Sequence, residues 1–252
     1  MIIVEPFALT DAQIAVTRGT SKALLLDPER KHVFLDTVDG SVLNIDIDLL
    51  ATTSWDSVAL VGLNAAAATT WRVLGGASYT ANVYQASRNI LAAEALGPPY
   101  NATLFASPTP LSGRYIRIEI TRPGGIGTLT LGCLVSGLAF RPTWNFELDG
   151  GEGIIDTGIG GIRPDGGHQA RPGVRVPERS FTLGDLSDAE LRQLKGIVRR
   201  SGEHNPLLLV EDPDFVAGAT DRIGWGVFTN LDRFSRRDPG KHRWALTFRD
   251  WL

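Results

Sequence analysis

Apolar and polar residues alternate in short runs along most of the chain, the period-two signature of strands with one wet and one dry face. Asn44, Asp46 and Asp48 alternate with Ile45, Ile47 and Leu49, and Tyr115, Arg117 and Glu119 alternate with Ile116, Ile118 and Ile120. Strands are predicted at 23–26, 32–35, 42–47, 57–63, 70–74, 79–84, 103–106, 115–120 and 128–140, the last broken at Gly132 and Gly137. Turn residues separate them: Asp27–Pro28–Glu29–Arg30, the Asp39–Gly40 pair, and Arg122–Pro123–Gly124–Gly125. This spacing predicts a mainly β chain with a jelly-roll β-sandwich over residues 1–145.

The pattern then changes. Residues 150–173 hold nine glycines in 24 positions, with Pro164 and Pro172. No packed element is expected there, and residues 146–173 read as an irregular arm or linker. Ile154, Ile155, Ile159 and Ile162 give that arm apolar groups to place on a neighbouring subunit. Beyond it the period becomes helical. Ser187 and Glu190 form a capping box, Leu191, Leu194, Ile197 and Val198 form one stripe, and Gly202 ends the helix. Strands at 174–183, 206–210, 223–231 and 243–251 complete a small α+β domain over residues 174–252, one helix on an antiparallel sheet. Trp244, Leu246, Phe248 and Asp250 share a face, and Glu211–Asp212–Pro213–Asp214 is a turn.

Composition narrows the function. The chain has 252 residues, 21% charged, with a net charge of −3, which argues against nucleic acid as a partner. Residues 1–162 carry 10 basic and 15 acidic groups and residues 163–252 carry 15 and 13, an asymmetry suited to head-to-tail docking of like subunits. The single cysteine, Cys133, lies in an apolar run and is expected to be buried and unreactive. Met1–Ile2–Ile3–Val4 runs straight into Glu5–Pro6 without a basic stretch, so no secretory leader is expected, and no apolar run is long enough to span a membrane.

Familiar chemistry is missing. His32, His168, His204 and His242 have no second ligand at metal spacing. Asp46 and Asp48 could bind calcium with Asp36 or Asp39, though a solvated strand face is the better reading. There is no GxSxG, and the loops Gly158–Ile159–Gly160–Gly161 and Gly124–Gly125–Ile126–Gly127 lack the lysine and hydroxyl of a phosphate cradle. Acids among aromatics, Asp56 beside Trp55 and Glu147 near Trp144, are the nearest approach to a glycosidase pair. No enzyme, cofactor or metal is therefore expected. Trp55, Tyr79, Tyr84 and Tyr100 fall near predicted strand ends, where rings could stack on a sugar; Trp71 reads as core. Arg233, Arg236 and Arg237 precede a turn at Asp238–Pro239–Gly240 and could meet the acids of a neighbouring subunit.

Two stretches resemble known families. Trp55–Asp56–Ser57–Val58–Ala59–Leu60–Val61–Gly62–Leu63–Asn64, Thr70–Trp71–Arg72–Val73 and Arg114–Tyr115–Ile116–Arg117–Ile118–Glu119–Ile120 resemble the galactose-binding-like (discoidin-like) jelly rolls of phage tail proteins. The strand–helix–Gly order, then Asn205–Pro206–Leu207–Leu208–Leu209, Ile223–Gly224–Trp225–Gly226–Val227–Phe228 and Trp244–Ala245–Leu246–Thr247–Phe248, resembles tail-tip and baseplate proteins of long-tailed, siphovirus-like phages, distal tail proteins among them. In many of those the ring-forming part comes first, whereas here it comes last. The resemblance implies a virion protein, assembled in the bacterial cytoplasm, that forms a homo-oligomeric ring and joins tail tube, hub and tip proteins. The alternative is a carbohydrate-binding module that recognises a host surface glycan.

Overall fold

The computed structural model describes all residues except 39, 92–96, 99, 125–126, 148–149, 163, 213–221, 232 and 252, and the side chain at 237. The described residues form two compact units, 1–141 with 207–224, and 142–206 with 225–252.

In the first unit the strands are β1 (Ile2–Pro6), β2 (Ile14–Val16), β3 (Phe34–Asp36), β4 (Val42–Val61), β5 (Thr70–Gly76), β6 (Asn82–Asn89), β7 (Ala102–Thr121), β8 (Leu129–Leu131) and β9 (Cys133–Phe140). The strands expected at 42–47 and 57–63 are one 20-residue strand, β4, and those at 103–106 and 115–120 are likewise one, β7. These two build the sandwich. Residues 42–48 of β4 pair with 115–121 of β7, and residues 57–61 pair with 102–106, with register breaks between Asp48 and Thr53 and between Trp55 and Ser57. One layer is β2, the first part of β4, the end of β7, β5 and β6. The other continues from the far part of β4 through β9 to β1. Ile45, Ile47, Ile116, Ile118, Ile120 and Trp71 of the first layer share one core with Val58, Leu60, Phe105 and Leu134 of the second. This is the mainly β, jelly-roll sandwich that the alternation predicts.

Residues 23–26 are not a strand. They lie in a 3-10 turn, Lys22–Leu26, which buries Leu25. Residues 207–210, expected in the C-terminal domain, form a strand that pairs antiparallel with β1, so Ile2 lies opposite Val210. Four consecutive buried apolar residues at 207–210 leave no polar face to keep, which suits a covered interior strand. A buried ion pair closes the sandwich edge: Arg122 Nη1 donates to Asp36 Oδ2 at 3.0 Å, with the two side chains 1% and 0% exposed. Arg122 also donates to the carbonyls of Val38 and Gly127. Cys133 is buried, and burial pushes its thiol up to about 12, which keeps it protonated and inert.

In the second unit the strands are β10 (Gly151–Asp156), β11 (Ile159–Ile162), β12 (His168–Arg171) and β13 (Arg175–Ser187), followed by helix α1 (Asp188–Ser201). After β14 (Leu207–Val210), which belongs to the first unit, come β15 (Ile223–Asn230), β16 (Ser235–Asp238) and β17 (Lys241–Asp250). The sheet order is β10-β13-β17-β15, with β16 beside β17. Trp244, Leu246, Phe248 and Asp250 are all buried, as their alternation predicts. The helix also forms as predicted. Ser187 accepts from the Glu190 amide, Glu190 receives the Ser187 amide in return, and Leu191, Leu194, Ile197 and Val198 are buried. Burial opposes ionisation of Glu190, but hydrogen bonds from the Ser187 hydroxyl and from the Thr143 and Ser187 amides outweigh it and hold the carboxyl at about 2.

The glycine-rich arm is not irregular. Residues 151–156 pair with 175–180, and residues 159–162 pair with 168–171, so it is a two-stranded hairpin rooted in the sheet. Backbone pairing supplies the order that composition hides, because a β ladder needs amides and carbonyls rather than side chains. The turn at 211–214 lies partly outside the described residues, as do the Asp39–Gly40 turn and the Gly125–Ile126 loop. Among the described residues no helix is long and apolar enough to cross a membrane.

Candidate ligand-binding surface

The outward face of the first layer carries a patch of paired charges and tyrosines. Alternation sends Ile45 and Ile47 into the core, and so sends Asp46 and Asp48 outward; the same rule turns Tyr115 and Arg117 outward on β7. Register then places Asp46 opposite Arg117 and Asp48 opposite Tyr115. Arg117 donates to both Asp46 oxygens at 2.6 Å, and Arg114 donates to both Asp48 oxygens at 2.7 Å. Arg72 and Glu119 form a further pair at 2.7 Å.

Tyr79 folds over this patch from the turn after β5. Its ring centroid lies 4.7 Å from that of Tyr115, and the Arg117 guanidinium lies 5.2 Å from the Tyr79 ring. The Arg114 guanidinium lies 4.9 Å from the Tyr115 ring. Two glycines permit this. A Cβ at Gly75 would lie 2.2 Å from the Tyr115 carbonyl, and Gly76 has φ +122°. Any other residue at 75 would push the end of β5 off β7.

The electrostatics fix the protonation states. Burial raises the Tyr79 phenol, and the Asp46 and Asp48 charges push it the same way, so it stays a neutral donor. Hydrogen bonds from Arg114 hold the Asp48 carboxyl below the usual range. The patch is charge-balanced yet open to solvent: side-chain exposure is 42% for Arg114, 24% for Asp48 and 21% for Arg117. Such a surface sets fixed donors and acceptors for hydroxyls beside two partly exposed tyrosine rings. Asp46 and Asp48 are each held by an arginine, Asp36 is held by Arg18 and Arg122, and Asp39 lies outside the described residues. Among the described residues no group of three potential ligands could hold a metal ion.

The structure separates the residues expected to contact glycan. Trp55 is fully buried, packed edge-on against Tyr84 at 5.2 Å and near Phe105 at 6.1 Å. It offers no ring face to a ligand, because its strand position points into the sandwich core. Tyr84 is half-buried against that core. Tyr100 is half-buried in a loop. Tyr79 alone of the four joins the patch. Its companions Tyr115 and Arg117 were visible as a polar face, but nothing local in the sequence shows that this face meets Asp46 and Asp48. Asp56 is buried and pairs with the partly exposed Arg141 in the first unit, and Glu147 pairs with Arg243 in the second.

Of the residues expected at subunit contacts, Ile154, Ile159 and Ile162 are 70%, 72% and 81% exposed on the hairpin, and Ile155 is half-buried. Arg233 and Arg236 are exposed, while the Arg237 side chain lies outside the described residues.

No family model matches the chain, and no curated protein matches it. Several solved carbohydrate-binding modules resemble about half of it. A module of family CBM32 from a family 31 glycoside hydrolase of Clostridium perfringens is 12% identical, covers 51% of this chain and 93% of its own, and has a TM-score of 0.39. Chitosan-binding module 1 of a chitosanase/glucanase from Paenibacillus sp. IK-5 is 13% identical over 49% and 92%, with a TM-score of 0.35. The CBM32 of AlyQ, solved in complex with 4,5-unsaturated mannuronic acid, is 12% identical over 53% and 96%, with a TM-score of 0.36.

Proposed function

We propose that the sandwich recognises carbohydrate on the patch formed by Tyr79, Tyr115, Arg114 and Arg117, and that it acts by binding without catalysis. One observation carries this reading: two tyrosine rings and two arginine–aspartate clamps converge on one solvent-facing patch outside the core. The clamps hold the guanidiniums in place before a ligand arrives, so little side-chain freedom is lost on binding. Each arginine keeps N–H groups beyond those its aspartate uses. The test is a glycan array probed with the full chain, followed by calorimetry on the best ligand. Tyr79→Ala should weaken binding about tenfold, the loss of one ring contact. Retained affinity in that variant, or no glycan bound at all, would overturn the reading.

The hairpin favours a second role for the same chain: a structural subunit of a phage tail tip or baseplate. Ile154, Ile159 and Ile162 stand in solvent on a ribbon whose tip belongs to no larger sheet, which suits an arm that reaches onto a neighbour. In this reading copies of the chain form a ring that joins tail tube, hub and tip proteins in the virion. Light scattering over a wide concentration range tests it. Deleting residues 158–172 should leave a folded monomer that no longer assembles; an unaltered oligomer, or a wild-type chain that stays monomeric even with neighbouring tail proteins added, would sink it.

A further inference from the structure

The outward face of the second unit's sheet holds an open pocket of about 440 Å³, lined by Thr182, Arg233, Ser235, Arg243 and Ala245. Register builds its frame. Ala245 lies opposite Thr182 on β13, and Arg243 lies opposite Ser235 on β16. Alternation along β17 buries Trp244 and Leu246 and so turns Arg243 and Ala245 outward.

The two arginines differ. Arg243 donates through Nε and Nη2 to Glu147 at 3.0 and 2.7 Å, which neutralises it and fixes its position. Glu147 reaches it across Gly184, where a Cβ would lie 2.3 Å from the Glu147 carboxylate. Arg233 is exposed and forms no ion pair with a carboxylate among the described residues. Among the described residues the pocket therefore sets one guanidinium without a carboxylate partner beside two hydroxyls and an immobilised second guanidinium.

We propose that this pocket binds a carboxylate carried on a hydroxylated scaffold, such as a hexuronate. The planar fork of Arg233 matches a carboxylate in a way a point charge would not. Thr182 and Ser235 can each donate to, or accept from, a hydroxyl of the same ligand. Ala245 leaves an apolar floor between them. The volume exceeds what a bare inorganic anion fills, which favours a ligand with a ring behind its charge. The site lies in the second unit and does not rest on the tyrosine patch of the first.

Glucuronate titrated into the full chain, followed by calorimetry, tests the proposal, with glucose and sodium chloride at matched ionic strength as references. Saturable glucuronate binding is expected, about tenfold or more weaker in Arg233→Gln, the usual loss of a charged hydrogen bond. Arg236→Gln, which lies outside the pocket lining, should bind as the wild type does. Tyr79→Ala should also leave glucuronate binding intact, which separates this site from the sandwich patch. A response no greater than that to chloride overturns the proposal, as does full affinity in Arg233→Gln with an unchanged circular dichroism spectrum.

Discussion

Ile116, Ile118 and Ile120 are fully buried, whereas Ile154, Ile159 and Ile162 stand 70–81% exposed, though all six lie in antiparallel ladders. The difference is what lies across from them and, above all, what covers them: the sandwich isoleucines share a core with Val58, Leu60 and Leu134 of the other layer. In the sandwich each isoleucine of β7 sits opposite another apolar residue, as Ile118 faces Ile45 on one side and Val73 on the other. In the hairpin, Ile159 faces Arg171, Ile162 faces His168, and Gly160 and Gly161 face Ala170 and Gln169; Ile154 faces Pro177 but stands on a face that nothing covers among the described residues. The hairpin is held by its main-chain ladder and by polar side-chain contacts such as Thr157 with Val174, and its exposed isoleucines gain none of the roughly 1.5–3 kcal/mol that each buried isoleucine contributes in the core. A strand with an apolar face and nothing covering it is a surface waiting for a partner, and that is why assembly is proposed for the hairpin and not for the sandwich.

Mutations can break this contrast in order of effect. Asp36→Ala should cost most, about 3–5 kcal/mol, because it leaves the buried Arg122 without its counter-charge. Urea unfolding measures it. Ile118→Ala should cost about 2–5 kcal/mol through the cavity it leaves, while Ile159→Ala should stay within about 0.5 kcal/mol. If the two isoleucine variants lose similar stability, the hairpin is packed in solution and the contrast fails.

Within the second unit, Ser187→Ala should cost about 1 kcal/mol by removing the helix cap. A further effect is one of pH. The Glu190 carboxyl sits at about 2 in the folded chain against an ordinary 4.5. A depressed carboxyl stabilises the fold fully above 4.5, and that contribution is lost as pH falls toward 2. Thermal unfolding of the wild type should therefore weaken over that window, and Glu190→Gln should weaken less steeply there. Equal slopes for the two would show that other carboxylates govern the acid limb.

Much of the fold is legible in local pattern. The capping box at Ser187 and Glu190 and the stripe from Leu191 to Val198 mark the helix, because caps and 3.6-residue spacing act within a few residues of chain. The faces of β4, β7 and β17 are legible for the same reason: period two is a property of the backbone. Trp55 misled because a tryptophan near a strand end reads alike whether its strand stops there or, as in β4, runs on into the core. The glycine-rich arm misled because side-chain composition is silent about a ladder made of amides and carbonyls.

Local pattern thus determined the helix, most of the strands outside the glycine-rich arm, which face of β4, β7 and β17 is dry, and that no disulfide framework supports the chain. Only the tertiary structure decided that Asp46 meets Arg117, that residues 207–210 lie beside the first strand, and that three isoleucines of the hairpin stay uncovered. The physical reason is distance along the chain. Propensity and alternation are settled among near neighbours, whereas register, coverage and the meeting of charges some seventy residues apart depend on how the whole chain closes.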